Sequence, residues 1–496
     1  MSDSQRLSHK IFHRGKISLQ LLPFWFDVCV ILLMAVLLYY GASWQIFEPY
    51  TDAARYQCYA NAFWFGTAHL THIMPSQCNF LLHPEQQQQL LFISQSTIIK
   101  TLQLWHVPAW IIQLVASQSS HAPFHALPYE YPWLTLIPFS LGLLVPAHWY
   151  QVAFAFWMLL IAAGLYLLLW RLRSRAHALV YALYLVVGGW ATVAGRFDII
   201  PALFTLLAIH LALKQRWRWA FFFLALATLY KFYPIVLLPS FLLVQQRDCQ
   251  GRWFAWRRWM PVVTFLFTCI IVMGISLLLN VEGTLAPFSY FESRPVQAES
   301  LSASLLWLLS HIGAGSLSYV YTYGSLNVIS SWGGSRILSM LVTISMIVGI
   351  VYTYWLQWRQ KVDIAAASLL ILLVVMVTGK VFSPQYLIWV LPLVAYIGGG
   401  KRWWIIPWVL IGLLTTWIYP HIYLMTGNIV IVPTLPMFFP STTLRNGLLL
   451  GWLIALFVVS TINGVTAVGM SYQPHWLKKQ ESVDPINDEQ GIARSL

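Results

Sequence analysis

Long apolar segments without charged residues recur along the whole chain, and they restrict the fold more than any other feature. Each has about 20 residues, the length of a helix that crosses the hydrocarbon core of a bilayer. Only 9% of the 496 residues are charged and 59% are hydrophobic, whereas soluble domains carry about 25% charged residues. The alternating ten-residue segments of an outer-membrane barrel are absent from the sequence. We therefore predict an all-α polytopic membrane protein.

The basic residues form short clusters between the apolar segments, which is the positive-inside pattern. The formal charge of +13 therefore indicates membrane orientation, and we expect no nucleic-acid partner. We expect three regions: a basic cytoplasmic tail (1–21), one transmembrane domain (22–467) and a disordered cytoplasmic tail (468–496). The expected location is the plasma membrane of a prokaryote, or the endoplasmic reticulum of a eukaryote.

We expect about twelve transmembrane helices, within a range of roughly ten to thirteen. The clearest spans are residues 22–44, 150–170, 178–195, 199–213, 261–279, 337–357, 364–379, 386–399, 403–419 and 446–467. Residues 133–146 are short and interrupted by Pro138, which favours a re-entrant or interfacial segment. Residues 219–244 lie between two basic clusters and are broken around Lys231, which predicts two short or re-entrant helices that meet at the break.

The first long outer segment, residues 45–149, is expected to contain amphipathic or re-entrant helices. It carries Glu48 and Asp52, whose spacing of four places both acids on one face if they share a helix. In the alternative interpretation, Thr51 or Asp52 caps a helix that follows. Cys58 and Cys78 lie in the same segment, and they either form a disulfide on an oxidising side of the membrane or remain free.

Several ionisable residues lie beside apolar segments on the predicted outer side. An ionisable residue at membrane depth, such as Lys231, costs free energy and indicates function, unless its side chain reaches the interface. The other polar residues in such places are Arg196 and Asp198, Arg294, Gln297 and Glu299 in the second outer segment (280–335), and Lys380. Each also has a structural interpretation, as a local ion pair, a helix cap, a solvated loop or an interfacial anchor.

Acids and several cations on one membrane face suit the transfer of a sugar from a lipid phosphate. A carboxylate can accept the proton of an acceptor hydroxyl, and cations stabilise the departing phosphate. The sequence contains no Walker loop, dinucleotide-binding glycine motif or nucleophile elbow, and its 14 histidines have no metal-type spacing. We expect no cofactor and no resident metal, with a divalent ion as the alternative.

Six motifs carry a family resemblance: YTDAARY (50–56), LPYEYPWL (127–134), GRFDIIPALFTLLA (195–208), LYKFYPIVLLP (229–239), ESRPVQAES (292–300) and FSPQYLIWVLP (382–392). In this order the chain resembles the GT-C superfamily of integral-membrane glycosyltransferases. It is most similar to glycosyltransferase family 87 and to the mannosyltransferase that adds the first mannose in GPI-anchor assembly. Two other interpretations remain: a secondary transporter, and a protein that binds or flips lipid-linked sugars without catalysis.

The resemblance implies a polyprenyl-phosphate-linked donor, usually of mannose, and an inverting single displacement onto a glycan, lipid or protein acceptor. It implies that Asp52 is the base, with Glu48 in support. The expected contacts to phosphate and substrate are Lys231, Arg294, Arg196 and Lys380, with Asp198, Gln297 and Glu299 beside them. Tyr131 and Tyr386 are expected to pack in the core or to contact the sugar. Because some relatives have a denser acidic motif, the identity of the base and the role of a metal stay open.

Overall fold

The computed structural model describes residues 24–73, 76–82, 94–249 and 252–467, with side chains as far as residue 462. The two predicted tails, residues 1–21 and 468–496, lie outside this part of the chain. In chain order the helices are α1 (Phe24–Gln45), α2 (Asp52–Phe65), α3 (Asn79–Leu82), α4 (Gln95–Leu104), α5 (Ala109–Ser117), α6 (Leu136–Leu141), α7 (Tyr150–Leu172), α8 (Arg175–Gly188), α9 (Ile199–Leu213), α10 (Trp217–Tyr230), α11 (Leu238–Asp248), α12 (Trp256–Leu279), α13 (Val281–Ser293), α14 (Leu301–His311), α15 (Ser335–Trp358), α16 (Ile364–Thr378), α17 (Tyr386–Gly398), α18 (Arg402–Thr416) and α19 (Phe438–Ala467). The strands are β1 (Val296–Gln297), β2 (Leu317–Thr322) and β3 (Ser325–Ser330).

Six of the described helices are long and apolar enough to cross a membrane: α1, α7, α12, α15, α18 with its irregular continuation to Met425, and α19. Seven shorter apolar helices of 10–17 residues accompany them. The predicted all-α polytopic membrane fold is confirmed. Several predicted boundaries were wrong; for example, α12 begins at Trp256 rather than at residue 261. α8 ends at Gly188 rather than at residue 195, because Gly189 follows as its C-cap, and α19 begins before residue 446, at Phe438.

The predicted break around Lys231 is present. α10 ends at Tyr230, and Lys231 has an extended backbone with φ −159° and ψ 128°. A short 3-10 helix, Tyr233–Leu237, with Pro234 in its first turn, then leads into α11. Proline fits the first turn of a helix because the N–H that it lacks has no partner there. The break therefore leaves a lysine side chain at the junction of two short helices.

The centre of the bundle is formed by α16 and α17, which are buried on all sides. Thirteen of the residues of α16 and all of α17 are buried, as expected of helices that are apolar around their whole circumference. α8 packs against both α17 and α18. It crosses α18 closely, since a side chain at Gly412 would lie 3.1 Å from the backbone nitrogen of Gly188. Small residues permit such close helix crossings in membranes.

The described parts of segments 46–146, 280–334, 379–385 and 417–437 assemble at one end of the bundle, which we call the loop face. Asn280 Nδ2 donates to the His125 carbonyl over 2.8 Å, and the Gln297 N–H donates to the Lys380 carbonyl over 3.0 Å. Cys58 of α2 forms a disulfide with Cys78, with the two Cα atoms 5.6 Å apart. The first of the two alternatives for these cysteines is therefore correct.

The loop face also holds a three-stranded antiparallel sheet with strand order β1–β3–β2, within the predicted second outer segment, where the sequence does not predict strands. β2 and β3 form a hairpin in which Thr322 pairs with Ser325. The two turn residues, Tyr323 and Gly324, have φ values of 55° and 61°. Two positive φ values in a two-residue turn match the twist of the strands. The hairpin packs against the segment that connects α18 to α19.

Candidate active site

The first turn of α2 carries a carboxylate, Asp52, and a guanidinium, Arg55. Thr51 caps this helix, because its Oγ1 accepts from the Ala54 N–H over 3.2 Å. Asp52 is the first helical residue, where the helix dipole favours a carboxylate, and Arg55 lies on the same face one turn later. The predicted cap is confirmed. The predicted helical face shared with Glu48 is wrong, because Glu48 precedes the helix and is exposed.

Asp52 forms an ion pair with Arg196, with 2.6 Å between Oδ2 and Nη2. Arg196 lies in the irregular segment that joins α8 to α9. The two side chains are 19% and 14% exposed, so the pair is partly accessible. Burial disfavours the charge of Arg196, but Asp52 and nearby phenol groups raise the pKa of this guanidinium above its ordinary value. The arginine therefore stays charged and fixes the orientation of the Asp52 carboxylate.

A second ion pair adjoins the first. Lys231 Nζ lies 2.5 Å from Asp198 Oδ1, and the indole N–H of Trp389 donates to the same oxygen, also over 2.5 Å. Asp198 makes no helix-capping hydrogen bond with its side chain, so its carboxylate serves the lysine and the indole. The ammonium of Lys231 also lies 5.1 Å from the Trp389 ring centroid. The break between α10 and α11 thus delivers a cation to a buried carboxylate on the loop side of α9.

The third pair, Arg55 with Glu130, was missed by the sequence analysis. Arg55 Nη2 contacts Glu130 Oε1 directly and lies 3.4 Å from the hydroxyl of Tyr129. The guanidinium is 4.8 Å from the ring centroid of Phe80, next to the disulfide. Burial raises the pKa of the Glu130 carboxyl, and the charge of Arg55 acts against that shift. Arg55 lies in the motif YTDAARY and Glu130 in the motif LPYEYPWL. A charged residue beside tyrosines in each motif is the sequence feature that indicates a paired role.

Arg294 and Lys380 are two further cations of the loop face. The guanidinium of Arg294 is 5.7 Å from the ring centroid of Tyr290, and Tyr386 and Glu130 are among its electrostatic neighbours. Lys380 Nζ donates to the Glu292 carbonyl over 2.9 Å. Partial burial and the nearby Arg294 lower the pKa of Lys380. The structure thus brings the two predicted cations together.

Three arginines of this region have a buried N–H that is not satisfied. The Nε atoms of Arg55, Arg196 and Arg294 are buried and have no hydrogen-bond acceptor among the described residues. Buried polar groups are normally hydrogen-bonded, and each exception calls for an explanation such as a ligand or ion. Guanidinium groups suit phosphate because they offer several donors in a fixed plane. These arginine N–H groups are therefore the feature of the region that calls for an explanation.

The remaining predicted residues occupy other surroundings. Glu299 belongs to a separate buried network, with Arg445 Nη1 at 2.9 Å from its Oε2 and the Tyr423 hydroxyl donating to its Oε1 over 3.0 Å. This network joins α19 to the segment before α14. Gln297 is buried in β1, and its Oε1 has no donor among the described residues. The contact found for Glu48 involves its backbone: its carbonyl oxygen accepts a hydrogen bond from Gln151 Nε2 over 3.0 Å.

Tyr131 and Tyr386 both pack against aromatic rings. Tyr131 meets Phe197 edge-on with 5.1 Å between ring centroids. Tyr386 stacks on Trp389 at 3.9 Å, and Trp389 stacks on Tyr233 at 4.1 Å. Of the two roles expected for these tyrosines, packing in the core and contact with the sugar, the observed contacts fit packing. In the described part of the chain, no three His, Cys, Asp or Glu side chains come together as a set of metal ligands.

The family model of glycosyltransferase family 87 matches residues 129–384. The chain belongs to glycosyltransferase family 87. It is therefore a membrane glycosyltransferase, and the resemblance stated from the motifs is confirmed at the level of this family. The matched range contains Glu130, Arg196, Asp198, Lys231 and Arg294, whereas α2 with Asp52 precedes it. A comparison with curated proteins finds no match. The narrower likeness to the GPI-anchor mannosyltransferase stays a prediction.

Proposed function

We propose that this glycosyltransferase moves a sugar, mannose, from a polyprenyl-phosphate donor to an acceptor hydroxyl at the outer membrane face, with inversion at the anomeric carbon. The observation that supports this most strongly is the arrangement around α2. A partly exposed carboxylate, Asp52, is held by Arg196, and the same region holds buried arginine N–H groups without an acceptor among the described residues. A base and an anion site are the two elements that the reaction requires.

In the proposed reaction Asp52 accepts the proton of the acceptor hydroxyl as its oxygen attacks the anomeric carbon. The bond between this carbon and the phosphate oxygen breaks at the same time, and the electron pair leaves with the polyprenyl phosphate. General-base catalysis of this kind contributes about 10²- to 10⁴-fold to the rate. A single displacement of this type inverts the configuration, so Asp52 acts as a base and forms no covalent bond with the sugar.

The departing phosphate requires cations in a site from which water is partly excluded. Arg294 and Lys380 are available for this, and each has N–H donors beyond the contacts described. Lys231 uses one N–H for Asp198, and because an ammonium has three donors, two remain for a phosphate oxygen. Arg196 joins the two functions, since its Nη2 holds Asp52 and its Nε has no acceptor among the described residues.

The outer location is supported by two features. The disulfide between Cys58 and Cys78 lies in the loop face, and disulfides persist on the oxidising side of a membrane. The opposite end of the bundle carries clustered arginines, for example at residues 171–175 and 257–258, as expected of the cytoplasmic side. The bilayer retains the polyprenyl tail, which explains why the catalytic region is built on a membrane domain.

The decisive experiment measures transfer of radiolabelled mannose from polyprenyl-phosphate mannose in membranes that contain the full chain. Asp52→Asn keeps the size of the side chain and removes the base, so we expect transfer to fall by about 10²- to 10⁴-fold. Asp248→Asn is the matched control, because this acid lies beside Arg247 at the other end of the bundle. Transfer by Asp52→Asn at the wild-type rate would refute Asp52 as the base. Absence of transfer by the wild type would refute polyprenyl-phosphate mannose as the donor.

A further inference from the structure

The tip of the β2–β3 hairpin lies directly against α2. The tip is fixed by the Tyr290 hydroxyl, which donates to the Tyr323 carbonyl over 2.5 Å. Gly324 follows with a positive φ of 61°, and its α-carbon is so near Arg55 that any side chain at this position would collide with the guanidinium. Asp52 lies one turn before Arg55 on α2, and both are among the electrostatic neighbours of Tyr321, two residues before the tip glycine's neighbour Tyr323.

Tyr321 is the last aromatic residue before this tip, and its ring extends beyond the core that the sheet forms. Tyr319 and Tyr321 point to the same face, opposite Val328 and Leu326 respectively. On that face Tyr319 contacts the ring of Phe439 at 6.0 Å, and Val328 and Leu326 are buried. Tyr321 remains 47% exposed. The Tyr321 ring therefore lies half-exposed near Asp52, outside the packed part of the sheet.

Tyr419 approaches the same ion pair from the segment that follows α18. Helical geometry ends there, since Tyr419 has φ −126° and ψ 114°. The guanidinium of Arg196 lies 5.9 Å from the centroid of the Tyr419 ring, and Tyr321 is among the electrostatic neighbours of Tyr419. Trp44 meets Tyr419 edge-on at 5.7 Å, and its buried indole N–H has no acceptor among the described residues.

We propose that Tyr321 and Tyr419 form the acceptor platform of the enzyme and that they select an acceptor with a sugar ring. The proposal rests on the function proposed above, because it needs Asp52 as the base beside the acceptor. Tyrosine combines an apolar ring face with a polar edge, which suits the C–H face and the hydroxyl groups of a pyranose. The guanidinium of Arg196 lies over the Tyr419 ring, and Asp52 and Arg196 are both among the electrostatic neighbours of Tyr321.

Two soluble probes separate the alternatives: methyl α-mannoside, which has a pyranose ring, and glycerol, which offers hydroxyl groups without a ring. The wild type should transfer mannose to methyl α-mannoside in preference to glycerol. Tyr321→Ala should raise the KM for the mannoside by roughly three- to tenfold and leave the KM for the donor unchanged. Tyr321→Phe keeps the ring and should stay close to the wild type. Ile329→Ala is the control, because Ile329 is exposed on the same hairpin and lies away from the tip.

Binding of methyl α-mannoside to the purified full chain, measured by saturation-transfer NMR, tests the platform without catalysis. The signal should weaken in Tyr321→Ala and in Tyr419→Ala and persist in Ile329→Ala. Equal binding by the wild type and both alanine variants, or an equal use of glycerol and mannoside by the wild type, would overturn the platform. A wild type that binds the mannoside through these tyrosines but transfers nothing from the donor would contradict the proposed function alone.

Discussion

The buried pair of Lys231 and Asp198 allows its structural and its catalytic contributions to be separated. Lys231→Met removes the ammonium and keeps a side chain of similar length. The Asp198 carboxylate, whose side chain is only 2% exposed, then keeps the indole N–H of Trp389 as a donor and loses the charge beside it. Removal of one partner from a buried ion pair costs about 3–5 kcal/mol, because the other charge stays buried without compensation. We therefore expect a strongly destabilised protein.

Asp198→Asn combined with Lys231→Met should recover most of this loss. The amide oxygen of asparagine can still accept from Trp389, and no unpaired charge remains in the double variant. Residues in direct contact show interaction free energies of about 0.5–3 kcal/mol in such cycles. Transfer activity should not recover with stability, because the double variant also lacks the ammonium that we assign to the phosphate. This difference between two readouts is the informative result.

Thermal unfolding in detergent, followed with a thiol-reactive dye, measures the stability of these variants. The dye reports unfolding through Cys249 and Cys269, which are partly buried free cysteines. For a long chain we expect Lys231→Met to lower the apparent Tm by roughly 3–10 °C. Lys100→Met, on the exposed surface of α4, is the matched control. An unchanged Tm in Lys231→Met would refute the buried pair, and recovery of transfer in the double variant would refute a phosphate contact by Lys231.

Three further predictions concern the loop face and the role of metal ions. Replacing both Cys58 and Cys78 by serine should lower the free energy of unfolding by about 3 kcal/mol, since the disulfide closes a loop with a sequence separation of 20; equal stability of the oxidised wild type and the variant would contradict this. Arg445→Met should lower the free energy of unfolding by about 3–5 kcal/mol, because it leaves the buried Glu299 carboxylate without its partner. Adding Glu299→Gln should restore part of this loss, and additive losses in the unfolding assay would argue against the pair. Treatment of membranes with EDTA should leave transfer unchanged, because arginine and lysine side chains supply the charge for the phosphate in our proposal, and a loss that magnesium or manganese reverses would refute that assignment.

The features that the sequence predicted correctly depend on local signals. Apolar segments that end at polar residues gave α1, α7 and α15 nearly to their bounds. The interruption of an apolar run by Lys231 and Pro234 predicted the break between α10 and α11. Thr51 was recognised as a cap because a hydroxyl before a helix satisfies a free backbone N–H. In each case the relevant residues are neighbours in the chain, so no knowledge of the packing was needed.

The pairing of the charged residues depends on packing between distant parts of the chain and was therefore not predictable. Asp52 and Arg196 meet because α2 lies against the segment between α8 and α9, and nothing in either motif selects the other. Arg445 precedes the predicted span 446–467, but α19 begins earlier, at Phe438, and carries Arg445 into a buried pair with Glu299. The hairpin was missed because two strands of six residues give a short alternation that apolar helical segments nearby obscure.

The ion pair of Asp52 also bears on the role that we propose for this carboxylate. A charge in a partly buried site is stabilised by a partner of opposite charge, and Arg196 is the partner of Asp52. Arg196 uses one nitrogen for this pair and keeps another N–H without an acceptor among the described residues. In our proposal the same guanidinium holds the base and contacts the phosphate. The residue that compensates the charge of Asp52 in the folded protein, Arg196, is thus, in our proposal, also a residue that binds the phosphate.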